Sequence, residues 1–377
     1  MLRFSPHSVQ LALARIENRV EGPRKGLSKS KLLTTHPKLN SLMDFCYFVG
    51  IDIAKDTLDW AVCTQQGAQL STHTANTLAG IKTALAELKA LPGWNPKQAV
   101  FCMEHTGIYN AHLLELLYEL QLAVWLESSL QIKQAGGMQR GKTDKVDAQR
   151  IAQYAYRFRD QMRLWGPPRQ VIQKLAFLSA TRQRLNQAYN LLAVPVAEQE
   201  TFISRSFQKA LKVNVNKSLT ALHEEQKAVE LQIAQLIQAD ARLKELFDLM
   251  VSVPGIGPII ATELLIATNE MQSISDPKKL ACHAGVAPFE YRSGSSIRGR
   301  TKVSHQARKR LKSLIHLGAM SAIQVRGDLQ DYYQRKLGEG KHTMLVLNAV
   351  RNKLIHRVCA VVRRGKKYDK FYCLSIA

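Results

Sequence analysis

Short apolar runs separated by polar turns form the first regular pattern of the chain, beginning at residue 47. Runs rich in β-branched and aromatic residues predict strands, whereas apolar residues three and four apart predict helices. In chain order the pattern predicts strands at 47–54, 57–64 and 68–76, a helix at 81–91, a strand at 98–107, a helix at 109–120, a strand at 123–128 and a helix at 140–156. The order βββαβαβα predicts a mixed α/β domain.

The middle of the chain has a different period. Residues 219–250 carry apolar side chains at intervals of seven, at Leu222, Val229, Leu236, Leu243 and Met250. This spacing predicts a helical coiled-coil spacer through which two chains can pair, although Gln226 and Asp240 interrupt the second apolar position. The alternative is a helical hairpin within one chain, formed with the apolar helix predicted near 183–193, and the sequence does not decide between them.

Glycine and proline mark a turn at 252–258, after the spacer. The segment VPGIGP, followed by apolar residues at helical spacing, predicts a helix-hairpin-helix. In such a motif Gly255 and Gly257 allow the backbone to approach a nucleic-acid phosphate, which the amides of the next helix bind. The remainder of the C-terminal part is predicted to be mainly helical.

Charge then narrows the classes of partner. Lys and Arg number 53 against 30 acidic residues, a net charge of +23 that favours a polyanionic partner, with nucleic acid as the first candidate. No apolar run approaches the length of a membrane span, so no membrane association is expected. The six cysteines show no paired spacing, which predicts reduced thiols in a cytoplasmic, nucleoid-associated protein. The basic segment 1–42 lacks periodicity and is predicted to be disordered, with Met43 as an alternative start.

Two acidic residues stand at the ends of predicted buried strands, where a charge is costly unless a cation compensates it. Asp52 lies in the first strand and Glu104 ends the fourth, and these strands are neighbours in the ribonuclease H and RuvC fold, whose element order matches the prediction. Asp144 and Asp147 lie three apart at the start of the last helix, where helix capping is the alternative explanation. The four predict a site for Mg²⁺ or Mn²⁺, which prefer oxygen ligands. We expect Asp56 and Asp59 to face solvent.

A basic run without any acidic residue extends from Tyr291 to Gly327. So long a run of one sign predicts a phosphate-binding surface. Its candidate contacts are Arg292, Arg298, Arg300, Lys302, Arg308, Lys309, Arg310 and Lys312. Three serines, Ser293, Ser295 and Ser296, lie in what is predicted to be a flexible loop within it, and their chemistry alone does not distinguish them.

The acidic segments 49–62, 103–109 and 141–155 together resemble the three acidic motifs of the insertion sequence 110 (IS110) family of transposases. That resemblance extends over residues 44–370 and implies a RuvC-like domain with the metal-binding tetrad Asp52, Glu104, Asp144 and Asp147. It also selects Ser293 as the nucleophile, because AGVAPFEYRSG matches the family's Ser-Gly motif; His305 and Ala307 depart from the family pattern nearby.

The resemblance implies a function as well. A member would join its DNA through a phosphoserine, at a site composed of both domains, often from two protomers. Donor and target DNA would be selected by base pairing with a structured noncoding guide RNA, and the protein would act as a dimer or tetramer. The alternative is a RuvC-like structure-specific DNA endonuclease that uses the tetrad alone.

Domain boundaries follow from these patterns. The sequence predicts an extension at 1–42, a RuvC-like catalytic domain at 43–165, a helical spacer at 166–250, a serine-containing transposase domain at 251–350 and a basic C-terminal helix and tail at 351–377.

Overall fold

A computed structural model of the chain describes residues 45–136, 143–293, 297–303 and 307–369. It divides into two compact units, with the division between Pro167 and Pro168, two residues from the predicted boundary after the catalytic domain. The predicted N-terminal extension at 1–42 lies outside the described residues. Within them, no helix has the length and apolar character needed to cross a membrane.

The first unit is built around a five-stranded sheet. Its strands are β1 (Tyr47–Ile53), β2 (Thr57–Thr64), β3 (Gly67–Ala75), β4 (Ala99–Glu104) and β5 (Ala123–Glu127), and its helices are α1 (Leu78–Lys89), α2 (Ala111–Glu119), α3 (Ser129–Ala135) and α4 (Asp144–Arg157). The strand order is β3-β2-β1-β4-β5. The first three strands pair antiparallel, as a meander must, and β4 and β5 join β1 in parallel. The predicted mixed sheet and element order are confirmed.

Alternating side chains of β1 enter two different cores. Val49 and Ile51 pack in the cluster that contains Ile81 of α1 and Leu113 of α2. Phe48, on the opposite face, packs in the cluster formed with α4. Because neighbouring side chains of a strand project to opposite faces, Gly50 and Asp52 belong to the α4 face.

The helix α3 is an element that the sequence pattern did not predict. It has seven residues between β5 and α4, and Ile132 is its one buried side chain. A single apolar residue gives no helical period, so the pattern contains no signal for such a short helix.

The second unit is mainly helical, as predicted. Its helices are α5 (Gln170–Glu198), α6 (Arg205–Ala239), α7 (Ala241–Val251), α8 (Pro258–Thr268), α9 (Pro277–His283), α10 (Lys309–Ala322), α11 (Asp328–Gly338) and α12 (Thr343–Arg364). The last helix begins at Thr343 and runs through the predicted boundary at 350/351. A two-stranded hairpin, β6 (Pro288–Ser293) and β7 (Ile297–Val303), lies between α9 and α10 in the sequence.

The spacer forms an antiparallel hairpin of α5 and α6 within one chain, which was the alternative to the coiled coil. Arg182 of α5 pairs with Glu230 of α6 at 2.6 Å, and Val229 and Ile233 are buried in the core of the unit. The heptad segment 219–250 is not a single helix, because Asp240 leaves the helical conformation and its side chain caps α7. The same aspartate interrupts the heptad pattern, and capping explains why it stands there.

The Pro-Gly-Ile-Gly segment forms a tight turn between α7 and α8. Gly255 has φ +91°, a conformation that favours glycine, and a Cβ there would lie 2.5 Å from the carbonyl oxygen of Gly318 on α10. Gly257 precedes α8, with no atom near its Cβ position, and Pro258 is the first residue of that helix. Gly255 therefore allows close packing against α10, whereas Gly257 leaves space beside the helix N-terminus.

Candidate active site

The paired strands place acidic residues at one level of the sheet. Ile51 of β1 pairs with Met103 of β4, so Asp52 and Glu104 are the next residues along two parallel strands. Paired residues of adjacent strands project to the same face. Both carboxylates therefore lie on the α4 face, and each follows a buried run of its strand.

A glycine brings α4 close to this face. A Cβ on Gly50 would lie 2.2 Å from the backbone nitrogen of Ala152 and 2.3 Å from the carbonyl oxygen of Ala148. Any side chain at residue 50 would thus displace the helix. Asp144 and Asp147 occupy the first turn of α4, four residues and one residue before Ala148, and the close approach brings them towards Asp52.

Electrostatics show that the other three carboxylates lie within range of Asp52. The pKa of Asp52 rises from 3.8 to about 6, first because burial disfavours its charged form, and then because of the negative charges of Asp147, Asp144 and Glu104. The structure thus brings together the four residues that the sequence predicted as a tetrad. Their assignment as metal ligands remains a prediction.

The N-cap side chain of α4 belongs to Thr143 and not to either aspartate. The side chain of Thr143 accepts a hydrogen bond from the backbone nitrogen of Val146 at 3.3 Å, so the N-cap position is already filled. Asp147 forms an ion pair of 2.7 Å with Arg150. Within the described ranges, no group of three or more acidic, His or Cys side chains is arranged to hold a metal ion. An all-oxygen donor set with a raised pKa nevertheless fits a hard divalent cation, because such a cation would relieve the repulsion.

Two further acidic residues flank the tetrad, and sequence reasoning did not include them. Glu127 pairs with Glu104 in the sheet. Burial, and then the negative charge of Glu127, raise the pKa of Tyr154 to about 12. Asp59 pairs with Asp52 in the sheet, and its carboxylate accepts a hydrogen bond from His73 Nδ1 at 3.1 Å. The expectation that Asp59 faces solvent is wrong, since it is 9% exposed. Its place in the alternation of β2, two residues before buried Ala61, was the available signal.

The expectation that Asp56 faces solvent is confirmed. Asp56 lies in the turn between β1 and β2 and faces solvent.

The predicted nucleophile lies at the end of a β-strand rather than in a loop. Ser293 is the last residue of β6 and pairs with Ile297, the first residue of β7, while Arg292 pairs with Arg298. Arg300 and Lys302 follow on β7. The side chains of these five candidate residues lie outside the described part of the structure, as do residues 294–296 between the strands. The flexible-loop prediction is therefore corrected for residues 289–293 and 297–303, which form antiparallel strands.

Two of the predicted phosphate contacts are paired with a buried carboxylate of the protein. Arg308 and Arg310 contact the carboxylate of Glu263 on α8 at 3.1 and 3.3 Å, and Glu263 is buried. Arg310 also donates to Ser179 of α5 at 2.9 Å. These contacts fasten the chain that follows the hairpin to α8 and α5. Lys309 is exposed and Lys312 partly exposed, so both are available to a ligand.

Sheet order, the helix packed on β1 and the convergent carboxylates define the class: a ribonuclease H-like domain with a DEDD set of acids, joined to a basic helical unit. A family model for the DEDD transposases of IS110, described as "Transposase", matches residues 49–193. A second, described as "Transposase IS116/IS110/IS902 family", matches residues 248–334. The chain belongs to the IS110 family of transposases.

Named relatives agree with that assignment. The chain is 28% identical over 332 residues to the "Pilin gene-inverting protein" of Moraxella lacunata, covering 86% of this chain and 98% of that protein. It is 33% identical over 153 residues to the "Insertion element IS110 uncharacterized 43.6 kDa protein" of Streptomyces coelicolor, covering 40% of this chain and 36% of that protein. Membership implies an enzyme that cleaves DNA and transfers strands, and that binds DNA.

Proposed function

We propose that this transposase cuts and rejoins DNA with two chemical centres, the acidic tetrad of the first unit and Ser293 of the second. The observation that carries the proposal is the raised pKa of Asp52, which burial and then the charges of Asp147, Asp144 and Glu104 produce. The match of separate family models to both units supports a function that needs both.

The tetrad would hold divalent cations, Mg²⁺ or Mn²⁺. When bound, such a cation supplies positive charge that stabilises the phosphate oxygens during transfer. The protein's own part is to fix the carboxylates: β1 and β4 hold Asp52 and Glu104 at one level, and Thr143 fixes the first turn of α4. Arg150 occupies one oxygen of Asp147, which leaves the second oxygen for a ligand.

Ser293 would act as the nucleophile. Its Oγ attacks a DNA phosphorus, the bond from phosphorus to the leaving sugar oxygen breaks, and the serine proton passes to a base. The Oγ–P bond conserves the energy of the broken bond, and the hydroxyl of another DNA end reverses the step and regenerates the serine. A protein whose name states that it inverts a gene is similar over nearly its full length, which supports cutting and rejoining rather than hydrolysis alone.

A denaturing gel of the full-length protein with labelled element ends tests this chemistry. Wild type should form a covalent protein–DNA adduct, and Ser293→Ala should form none. Ser295→Ala and Ser296→Ala are matched controls in the same segment and should retain the adduct. An adduct in Ser293→Ala would move the nucleophile to a neighbouring serine, and cutting without any adduct would favour a structure-specific endonuclease that uses the tetrad alone.

The charge of the chain is proposed to serve RNA as well as DNA. A structured guide RNA, with a dimer or tetramer of the protein, would select donor and target sites by base pairing. Protein expressed with its native flanking DNA should then co-purify with one discrete RNA, and RNase should abolish recombination. A heterogeneous mixture of RNA with activity resistant to RNase would contradict the guided function and leave the serine chemistry untouched.

A further inference from the structure

A buried arginine of the second unit has no acidic partner. Arg351 of α12 is 6% exposed, and it forms no ion pair with any described residue; its Nε is buried without a hydrogen-bond partner. Burial lowers the pKa of Arg351, but a guanidinium remains charged at neutral pH. Because an uncompensated buried charge is costly, the fold maintains a positive charge whose counter-ion is not supplied by the described part of the chain.

The contacts of Arg351 lead to α10. Its terminal nitrogens donate to His316 Nδ1 at 2.8 Å and to Asn348 Oδ1 at 3.5 Å. A guanidinium can only donate, so Nδ1 of His316 accepts and the ring proton must be on Nε2. Burial, and then the charge of Arg351, lower the pKa of His316, which keeps the imidazole neutral. His316 is partly exposed, so its Nε2–H is a fixed donor for a ligand.

A lysine stands beside this donor. Lys312 lies four residues before His316 on α10, so both side chains share one helix face, and Lys312 is partly exposed. No acidic residue occurs in the sequence from Tyr291 to Gly327. The surface therefore combines an ammonium group, a neutral N–H donor and the field of a buried guanidinium behind it.

We propose that Lys312, His316 and Arg351 form a binding site for one backbone phosphate of a nucleic acid, with Arg351 acting through His316. A phosphodiester offers the acceptor oxygens that the lysine and imidazole require, and its negative charge supplies what Arg351 lacks. The site requires only that this transposase binds nucleic acid. It is independent of the tetrad and of Ser293.

Binding of fluorescent probes to the full-length protein in EDTA tests the site without catalysis. One arm uses duplex DNA of an element end, and the other a structured RNA hairpin, because both carry the same phosphate. His316→Leu removes both ring nitrogens and should weaken binding of at least one probe roughly fivefold. His316→Gln should recover most of that loss, since an amide can accept from Arg351 and donate outward. Lys312→Gln should lower the slope of log affinity against log salt by about 0.9.

His356→Leu is the matched control, because His356 is an exposed histidine on α12. It should bind both probes like wild type. A loss with one probe alone identifies DNA or RNA as the source of the phosphate. Wild-type affinity of His316→Leu for both probes would overturn the proposal, as would equal weakening by His316→Leu and His316→Gln. The thermal unfolding temperatures of His316→Leu and His316→Gln are measured as well. A temperature near that of wild type shows that a loss of binding is not a loss of fold.

Discussion

Replacing Asp52 by asparagine should stabilise the metal-free protein while removing its activity. The carboxylate of Asp52 is partly buried and faces three other negative charges, so its ionised form is unfavourable in the fold. Asparagine has nearly the same shape and carries no charge. It therefore removes the burial cost and the repulsion together, and with them a ligand of the proposed metal site.

The size of the stabilisation expected for Asp52→Asn follows from the pKa of Asp52. The rise of its pKa from 3.8 to about 6 corresponds to a destabilisation of the fold by roughly 3 kcal/mol when the Asp52 carboxylate is fully ionised. Asp52 is only partly buried, and solvent screening reduces this to about 1–2 kcal/mol. Because the pKa is higher in the folded than in the unfolded state, the destabilisation is absent below about pH 4, grows as the pH rises through 6 and is complete above it. The advantage of Asp52→Asn should therefore be about half of its full size at pH 5 and complete at pH 8.

Calorimetry of the full-length protein in EDTA gives the measurement. At pH 8 the midpoint temperature of thermal unfolding of the first unit should be about 3–6 °C higher in Asp52→Asn than in wild type. Added Mg²⁺ should then stabilise wild type by mass action and the variant much less. Asp56→Asn, an exposed aspartate in the adjacent turn, is the control and should change neither value. A lower transition in Asp52→Asn, or a gain of equal size at pH 5 and pH 8, would refute the electrostatic reasoning.

Three other predictions follow from the structure. Gly50→Ala should destabilise the first unit by about 1–3 kcal/mol, because its Cβ meets the backbone of α4; unchanged thermal unfolding would contradict the packing. Asp147→Asn should abolish strand transfer while leaving DNA affinity near wild type in a gel-shift assay, and retained strand transfer in Mg²⁺ would exclude it from the tetrad. Glu263→Gln should lower the thermal stability of the second unit by about 1–3 kcal/mol, because it weakens buried contacts to two arginines. Lys309→Gln, at an exposed lysine between those arginines, should leave stability unchanged.

Much of the first unit was readable from the sequence because each strand contains a short apolar run between polar turns. Asp52 and Glu104 were identifiable for the same reason, since a charge that interrupts or ends such a run is conspicuous. Asp59 was missed although the alternation of β2 marks its buried side, and its position beside Asp52 depends on the pairing between strands, which no local pattern encodes. The ion pair of Asp147 with Arg150 was likewise not anticipated.

The second unit was harder to predict. In β7 the basic residues Arg298, Arg300 and Lys302 occupy alternate positions, and this density of charge together with the Gly-Ser segment resembled a loop. The heptad spacing of 219–250 was real, but its apolar residues are divided between α6 and α7 and pack within one chain. Glu263 lies in an apolar helix whose period gives no indication of its arginine partners, which come from residues 45 and 47 positions further along the chain.

The single level of acidic residues across the sheet has a consequence for how the enzyme is kept in check. Asp59, Asp52, Glu104 and Glu127 share one face only while every strand keeps its register. A slip of one residue in any strand would turn its carboxylate to the side covered by α1 and α2. Under the proposed assignment of the tetrad, a wrongly paired chain would lack the complete acidic set, so cation binding and DNA cleavage would both depend on correct strand pairing.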